Sequence, residues 1–342
     1  MYHPTKLKTK IFSSGIFLPS QIVSSDELFE EFDSEKNYGI PTDWMSNKMG
    51  IKQRRVSDFD ALPSSLAIPA AEQALAALSH IKPDDIDLVI FCGIEPDLPE
   101  PATAHKIQKA LGLNARYAFD VSNACFGFID AMQIADCYVG SRMAKAALIV
   151  TGEIPTRVLR AAIDVLKEGI DIKTARSIIG ALSVGDAGGA VVIAPTDQVA
   201  PSGFELFNSN TYTDFYDKCM YERSEDGAIV AGRMEMAQLA KAFINIHGNI
   251  IGDTLDQLGW SEFDWLISHQ VGKKPFDRLS NLKGVGPKKM IKTLDKLGNI
   301  TSATFPVNFH KMVGQGLVSI GDRIGGCFAG SGIVIGQLGY RY

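Results

Sequence analysis

The sequence predicts an α/β protein, and three observations carry that reading. Apolar runs of strand length alternate with longer amphipathic stretches along the 342 residues. The strand runs are continuously apolar instead of alternating, the mark of sheets covered on both faces. One pattern also occurs twice: Pro83-Asp84-Asp85-Ile86-Asp87-Leu88-Val89-Ile90 and Ser261-Glu262-Phe263-Asp264-Trp265-Leu266-Ile267 each follow a long helix and pass through acidic residues into an apolar strand. Any αβ unit shares part of that pattern. If the repeat is genuine, the seam between halves falls near residues 195–201, where Thr196-Asp197-Gln198 reads as a linker.

In chain order, residues 8–17 give a first strand. Further strands are expected at 88–93, 118–121, 146–151, 190–193, 265–268, 323–328 and 333–337. Amphipathic spacing places helices at 64–78, 103–111, 126–143 and 232–258. The start of the chain has a weak secretory look, with Lys6, Lys8 and Lys10 ahead of an apolar stretch. That stretch is broken by Ser13-Ser14-Gly15 and Pro19 and no small-residue cleavage site follows, so export is not expected.

Composition narrows the class. The chain is 46% hydrophobic and 21% charged, with a mean hydropathy of +0.05, which excludes a disordered chain. No apolar run approaches the roughly 18 residues of a membrane span. A net charge of −5 argues against a general nucleic-acid binder. Five scattered cysteines without a Cys-x-x-Cys pair fit a reducing cytoplasm and neither a disulfide nor a zinc framework.

The chemistry gathers around Cys125, in Asp120-Val121-Ser122-Asn123-Ala124-Cys125-Phe126-Gly127-Phe128, between a short strand and an amphipathic helix. A thiol at a helix N-terminus meets unpaired N–H groups and the positive end of the dipole, both of which favour thiolate. The same N–H groups can hold an oxyanion. Cys92, Cys137 and Cys327 sit in apolar stretches and are expected to be buried and structural. A nucleophile needs partners. His269 ends the expected strand at 265–268, and Asn299 sits in a Gly-Asn turn after a helix; His3, His80, His105, His247 and His310 have weaker contexts. Cys, His and Asn in that order also occur in papain-like proteases, but the signature around the protease cysteine is missing here.

The residues around Cys125, His269 and Asn299, with Gly185-Asp186-Ala187-Gly188-Gly189-Ala190, Gly330-Ser331-Gly332 and the run from Trp44 to Arg55, resemble the β-ketoacyl-ACP synthase III group of thiolase-fold condensing enzymes. The motifs stand in the family's order and extend over nearly the whole chain. The resemblance implies a five-layered αβαβα fold of two pseudo-duplicated halves, residues 1–196 carrying the cysteine and 197–342 carrying the histidine and asparagine, normally as a cytoplasmic homodimer. It implies that Cys125 takes an acyl group from a thioester and that His269 and Asn299 hold the carbonyl of the second thioester. The backbone N–H groups of Cys125 and Ser331 would form the oxyanion hole. A Claisen condensation needs a nucleophile and two places to hold negative charge, but no cofactor and no metal; acyl-CoA or acyl carrier protein enters as substrate.

Departures from that group bear on the substrate. His269-Gln270-Val271-Gly272 and Gly298-Asn299-Ile300-Thr301 replace the usual His-Gln-Ala-Asn and Gly-Asn-Thr-Ser, and Lys48-Met49 replace Arg-Thr. Glu100, in Pro99-Glu100-Pro101, resembles the glutamate of olefin-pathway head-to-head condensing enzymes and of pyrone and dialkylresorcinol ketosynthases. There the corresponding side chain reaches across the dimer and acts as a base. A solvated loop glutamate, or one capping the helix at Thr103, is the alternative; Glu95 lies nearer the strand end and is the weaker candidate base. Trp44 and Arg54, with Arg55, and the basic run that starts at Lys273 and Lys274 would meet the phosphates of CoA or the acidic helix of a carrier protein. The glycines at 185–189 lack nucleotide-binding spacing and are expected to allow close packing. The expected activity is therefore a ketosynthase joining two acyl thioesters without decarboxylation. The alternatives are an ordinary synthase III using malonyl-ACP, transfer to an oxygen or nitrogen acceptor, or an inactive supporting subunit.

Overall fold

The computed structural model describes residues 9–196, 202–224 and 230–342. The seam expected near 195–201 lies mostly outside these residues, as does the start of the chain through Lys8. One sheet contains β1 (Thr9–Phe17), β2 (Ile86–Cys92), β3 (Tyr117–Val121), β4 (Ala146–Glu153) and β5 (Ala187–Pro195), in the spatial order β1-β5-β4-β2-β3. The other contains β6 (Gly203–Thr211), β7 (Trp265–Ser268), β8 (Arg323–Gly330) and β9 (Val334–Arg341), in the order β7-β8-β9-β6.

The two sheets share a plan. In the first, β5 runs antiparallel to both β1 and β4, while β2 is parallel to β4 and β3. In the second, β9 runs antiparallel to both β6 and β8, while β7 is parallel to β8. On the far side of β7 a parallel bridge from Leu266 to Met290 stands where β3 stands in the first sheet. The acidic lead-in repeated in the sequence thus feeds equivalent strands, β2 and β7.

Strand alternation explains the layers. Leu88, Ile90, Ala147, Ile149, Val191 and Ile193 face the molecule's centre, while Val89, Phe91, Leu148, Val150, Ala190 and Val192 face the outside. Both sets are buried, so neither face could afford a polar residue, and the runs read as unbroken apolar sequence. The outer set packs beneath α1 (Pro63–Ala76) and α2 (Thr103–Ala110). The inner set packs on α3 (Gly127–Gly140) and α7 (Thr304–Gly314), whose Phe128 and Phe305 rings stack at 6.1 Å. Beyond the second sheet lie α5 (Met236–Leu258) and α6 (Lys273–Leu279), with α4 (Thr156–Lys167) flanking the first half. The result is the expected five-layered αβαβα arrangement.

The glycine-rich motif works by absence. A Cβ at Gly188 would overlap the Leu66 carbonyl of α1, and one at Gly185 would overlap the Leu297 carbonyl beside Asn299. Asp186 between them is fully buried and accepts from Ser57 N at 2.8 Å and from Thr156 N and Oγ1 at 3.1 and 2.7 Å. This is the close packing expected of those glycines.

Some elements departed from expectation. Strand β6 was not foreseen, because its sequence Gly-Phe-Glu-Leu-Phe-Asn-Ser-Asn-Thr turns polar half-way along. The helix expected from residue 232 begins at Met236, since Arg233–Met234 pairs with Cys219–Met220 in a short antiparallel ribbon. Cys92 and Cys327 are buried, but Cys137 is exposed, on the face of α3 opposite Ala135 and Val139. No helix among the described residues is long and apolar enough to cross a membrane.

Candidate active site

Cys125 stands on a tight elbow between β3 and α3. Ala124 takes a left-handed backbone conformation at φ 47°, a strained state for a residue with a Cβ and one that clusters at functional sites. Two local bonds close the elbow, Phe126 N to Asn123 O at 3.0 Å and Gly127 N to Ala124 O at 3.2 Å. Asn123 Nδ2 donates to Asp130 Oδ2 on the first turn of α3 at 2.7 Å. The Gly330-Ser331-Gly332 turn lies directly against this elbow. A Cβ at Gly330 would stand 2.9 Å from Asn123 O and 3.0 Å from Phe126 N.

The thiol itself corrects one expectation. α3 begins at Gly127, two residues beyond Cys125, and Cys125 is half-buried. Burial pushes its thiol well up, and the nearby Cys219 and Glu153 push in the same direction. Desolvation therefore outweighs the helix dipole, and the resting group is the thiol.

His269 follows β7, and its N–H extends the ladder to Cys327 O at 2.9 Å. The ring is buried, which pulls its pKa down to about 4, so the imidazole is neutral. Its Nδ1 is sealed off without a hydrogen-bond partner among the described residues. The neighbouring Gln270 explains the His-Gln pairing. Its Nε2 donates to Ile291 O at 2.9 Å, and its Oε1 accepts from Thr293 N and Leu294 N, each at 3.0 Å. One carboxamide thus ties the histidine strand to the segment leading into Asn299.

Asn299 is gripped at three points. Its N–H donates to Ser183 O at 2.9 Å, its carbonyl accepts from Gly185 N at 3.1 Å, and its side-chain Oδ1 accepts from Thr301 N at 3.0 Å. With Oδ1 engaged as an acceptor, the carboxamide has its Nδ2 donors to offer an incoming carbonyl. Asn299 and His269 are both nearly inaccessible, at 3% and 6% exposure, so a carbonyl oxygen brought to them would meet donors in a dry setting.

The structure adds neighbours that sequence reasoning missed. Glu153, at the end of β4, is 2% exposed and its carboxyl is pushed up to about 7, chiefly by burial. Tyr221 lies near Cys125, Cys219 and Glu153, and the Ser331 hydroxyl hydrogen-bonds the Cys219 thiol. Only Glu153 left a signal, as a carboxylate closing an otherwise apolar strand.

Other candidates divide. Trp44 is half-buried and stacks on Phe29 at 6.2 Å, and the turn after it meets α6: Gly50 faces the Lys273 side chain and Gly272 the Met49 methyl. Lys273 and Lys274 are exposed there, so two segments distant in sequence share one surface. Arg54 does not join them. It is fully buried and donates to Ser25 Oγ at 3.0 Å, Leu182 O at 2.8 Å and Val184 O at 3.4 Å, so the expected phosphate contact is replaced by a structural pin. Glu95 is held by Arg223 at 2.8 Å and Arg157 at 3.6 Å. His247 is packed on Phe243, and His310 Nδ1 meets Ser14.

Glu100 is exposed on the loop between β2 and α2. The loop is pinned on both sides. Asp97 accepts from Ser64 N and Oγ at 2.8 and 2.6 Å and pairs with Lys106 at 2.6 Å. The first N–H groups of α2, at Thr103 and Ala104, go to Asp120 at 2.7 and 2.9 Å, which removes the alternative of Glu100 as the helix cap.

Comparison with known proteins places these features. Residues 119–214 match the model of the 3-oxoacyl-[acyl-carrier-protein] synthase III family and residues 255–342 match its C-terminal model. The β-ketoacyl-[acyl-carrier-protein] synthase III of Erythrobacter litoralis is 30% identical over 345 residues, covering 98% of this chain and 100% of that one. The chain belongs to the synthase III family. The Methylococcus capsulatus synthase III is 29% identical, covering 98% of this chain and 99% of its own. Among solved structures, OleA of Xanthomonas campestris with cerulenin bound superposes with a TM-score of 0.90 at 25% identity, covering 98% of this chain and 97% of that one. This synthase III relative is accordingly a carbon–carbon-forming acyltransferase of ketosynthase type on the thiolase fold.

Its neutral His269 has a consequence for stability. The folded pKa of about 4 lies below the ordinary 6.5, so on acidification the unfolded chain takes the proton first. Stability supplied by the neutral ring is complete above pH 6.5 and is lost as pH falls toward 4. A His269→Asn variant should therefore lose less Tm than the wild type between pH 7.5 and pH 5.5. Glu153 titrates in that window in the opposite sense in both proteins, so the comparison isolates His269; equal losses would contradict the assignment.

Proposed function

We propose that the protein joins two acyl thioesters head to head, without decarboxylation, as a homodimer in which Glu100 serves the partner's site. The Cys125 sulfur attacks an acyl-CoA or acyl-carrier thioester, the acyl–sulfur bond re-forms on Cys125, and the first carrier leaves as a thiol with the cysteine's proton. The second thioester seats its carbonyl on His269, through Nε2, and on Asn299 Nδ2. Glu100 removes its α-proton, and the enolate carbon attacks the acyl-cysteine carbonyl, whose oxyanion rests on the N–H groups of Cys125 and Ser331. Collapse expels the Cys125 thiolate, which recovers the proton from Glu100, and a β-ketoacyl thioester departs. Lys273, Lys274 and Trp44 flank the entry of the phosphate-bearing carrier.

The observation that carries this reading is the pinned loop. Its two anchors, Asp97 and Asp120, hold Leu98 at 54% exposure and Glu100 outside the protomer, where another apolar surface would cover them. A carboxylate buried in such a place is poised to take a proton. The second reading is an ordinary synthase III that decarboxylates malonyl-ACP, favoured by the names of the curated relatives at 29% and 30% identity.

Mass spectrometry of protein and products after incubation with a long-chain acyl-CoA alone separates the two. An acyl adduct on Cys125 together with a β-keto product of two fatty chains is expected. An adduct that persists until malonyl-ACP is added would establish the second reading instead.

A further inference from the structure

Glu153 is a buried carboxyl beside the nucleophile that neither half-reaction has used. It closes β4, every residue of which is buried, and it faces the turn that carries Asn299. Its Oε1 accepts from Ser302 Oγ in a short bond, and Ser302 Oγ also meets Thr151 Oγ1 at 2.7 Å. Its Oε2 accepts from Ile94 N at 3.3 Å. Ser302 directly follows Thr301, whose N–H holds Asn299 Oδ1 and whose backbone sits in the left-handed region at φ 50°. A residue with a β-branched side chain stays there only if its surroundings over-determine it. On the C-terminal side the turn is held by Thr304 Oγ1 donating to Thr301 O at 2.8 Å.

We infer that Glu153, acting through Ser302, is a positioning residue for Asn299 and hence for the carbon–carbon bond-forming half of the reaction. The inference rests on the reading of Asn299 as a donor to the second thioester. The argument is geometric. β4 belongs to the first sheet and Asn299 to the segment that joins β7 to β8 of the second, so the Glu153–Ser302 bond is a strut across the two halves. It fixes the residue after Thr301, and Thr301 fixes the rotation of the Asn299 carboxamide. Loosening it lets Nδ2 turn away from the incoming carbonyl, whereas Cys125 keeps its own elbow and its contact with Gly330. The acyl-transfer half should therefore survive the loss of the strut.

The experiment measures the two half-reactions separately in wild type, Ser302→Ala, Glu153→Gln and Glu153→Leu. Acylation is followed as the mass adduct on Cys125. Condensation is followed as β-keto product in two arms, acyl-CoA alone and acyl-CoA with malonyl-ACP. Wild-type product in either arm supplies the reference rate, so the choice of arm reports on the proposed substrate and the ratio between variants reports on Glu153. Misplacing a catalytic group by about 1 Å costs on the order of 10²-fold, so condensation in Ser302→Ala and Glu153→Leu should fall by about that factor while acylation changes by less than about 3-fold. Glu153→Gln keeps an oxygen for Ser302 and should recover part of the loss. Equal losses in both half-reactions would make Glu153 a support of the fold and overturn the inference, as would unchanged condensation in Ser302→Ala. Ser302→Ala, a smaller change, decides the matter if a Glu153 variant fails to fold.

Discussion

In a Glu100→Ala variant, Cys125 still accepts an acyl group from acyl-CoA, but the β-keto product of two acyl chains falls by at least about 10²-fold, the usual contribution of a positioned general base. Acylation is spared because Glu100 is exposed on the loop between β2 and α2, while the Cys125 elbow is closed by its own bonds from Phe126 N to Asn123 O and from Gly127 N to Ala124 O. Condensation is lost because an α-proton of a thioester is weakly acidic and needs a base: Glu95, the other glutamate of this loop, is committed to Arg157 and Arg223, and the first N–H groups of α2 are held by Asp120, which leaves Glu100 for the proton. The proposed trans arrangement has its own signature. Glu100→Ala and Cys125→Ala are each inactive in condensation, yet a mixed dimer of the two holds one site with an intact Cys125 and a partner that supplies Glu100. Unfolding and co-refolding the two variants should restore product. Failure to complement, with dimers shown by light scattering, would place Glu100 outside the partner's site. Product from Glu100→Ala at the wild-type rate would remove the base altogether.

The strands and the site were not equally legible in the sequence. The apolar run at 265–268 coincides with β7 to the residue, and those for β2, β4 and β8 nearly coincide, because a strand buried on both faces is an unbroken apolar run bounded by turns. Strand β6 was invisible because its second half is half-buried and polar. Cys125, His269 and Asn299 stand out in the sequence because each sits at a break, after a strand or in a Gly-Asn turn, within a motif that resembles the family's. Glu153 and Cys219 could not. Their place beside Cys125 is set by packing between segments far apart in the chain, and no local pattern records it. The protonation of Cys125 escapes the sequence for the same reason: the dipole is a local property of α3, whereas burial belongs to the whole fold. Arg54 is ambiguous in sequence because an arginine in a basic motif looks alike whether it faces phosphate or carbonyls.

Arg54 offers the sharpest test of that last point, since its two readings predict opposite phenotypes. A phosphate-binding arginine would raise KM for the CoA thioester when removed and leave Tm untouched. The buried guanidinium instead satisfies Leu182 O and Ser25 Oγ in a region without solvent, and burial without a paired carboxylate already draws its pKa down to about 10. Arg54→Ala leaves a cavity and unpaired acceptors, a loss of about 4 kcal/mol, equivalent to roughly 6 °C in Tm for a chain of this size. Arg54→Met fills most of the cavity and should lose about half as much, the remainder being the hydrogen bonds. Kinetics measured well below Tm should show KM for the acyl-CoA unchanged. kcat should fall, because the segment pinned by Arg54 contains Ser183, whose carbonyl takes the Asn299 N–H. Thermal unfolding and steady-state kinetics on the same two variants decide between the readings, and a raised KM with an unchanged Tm would return Arg54 to the substrate.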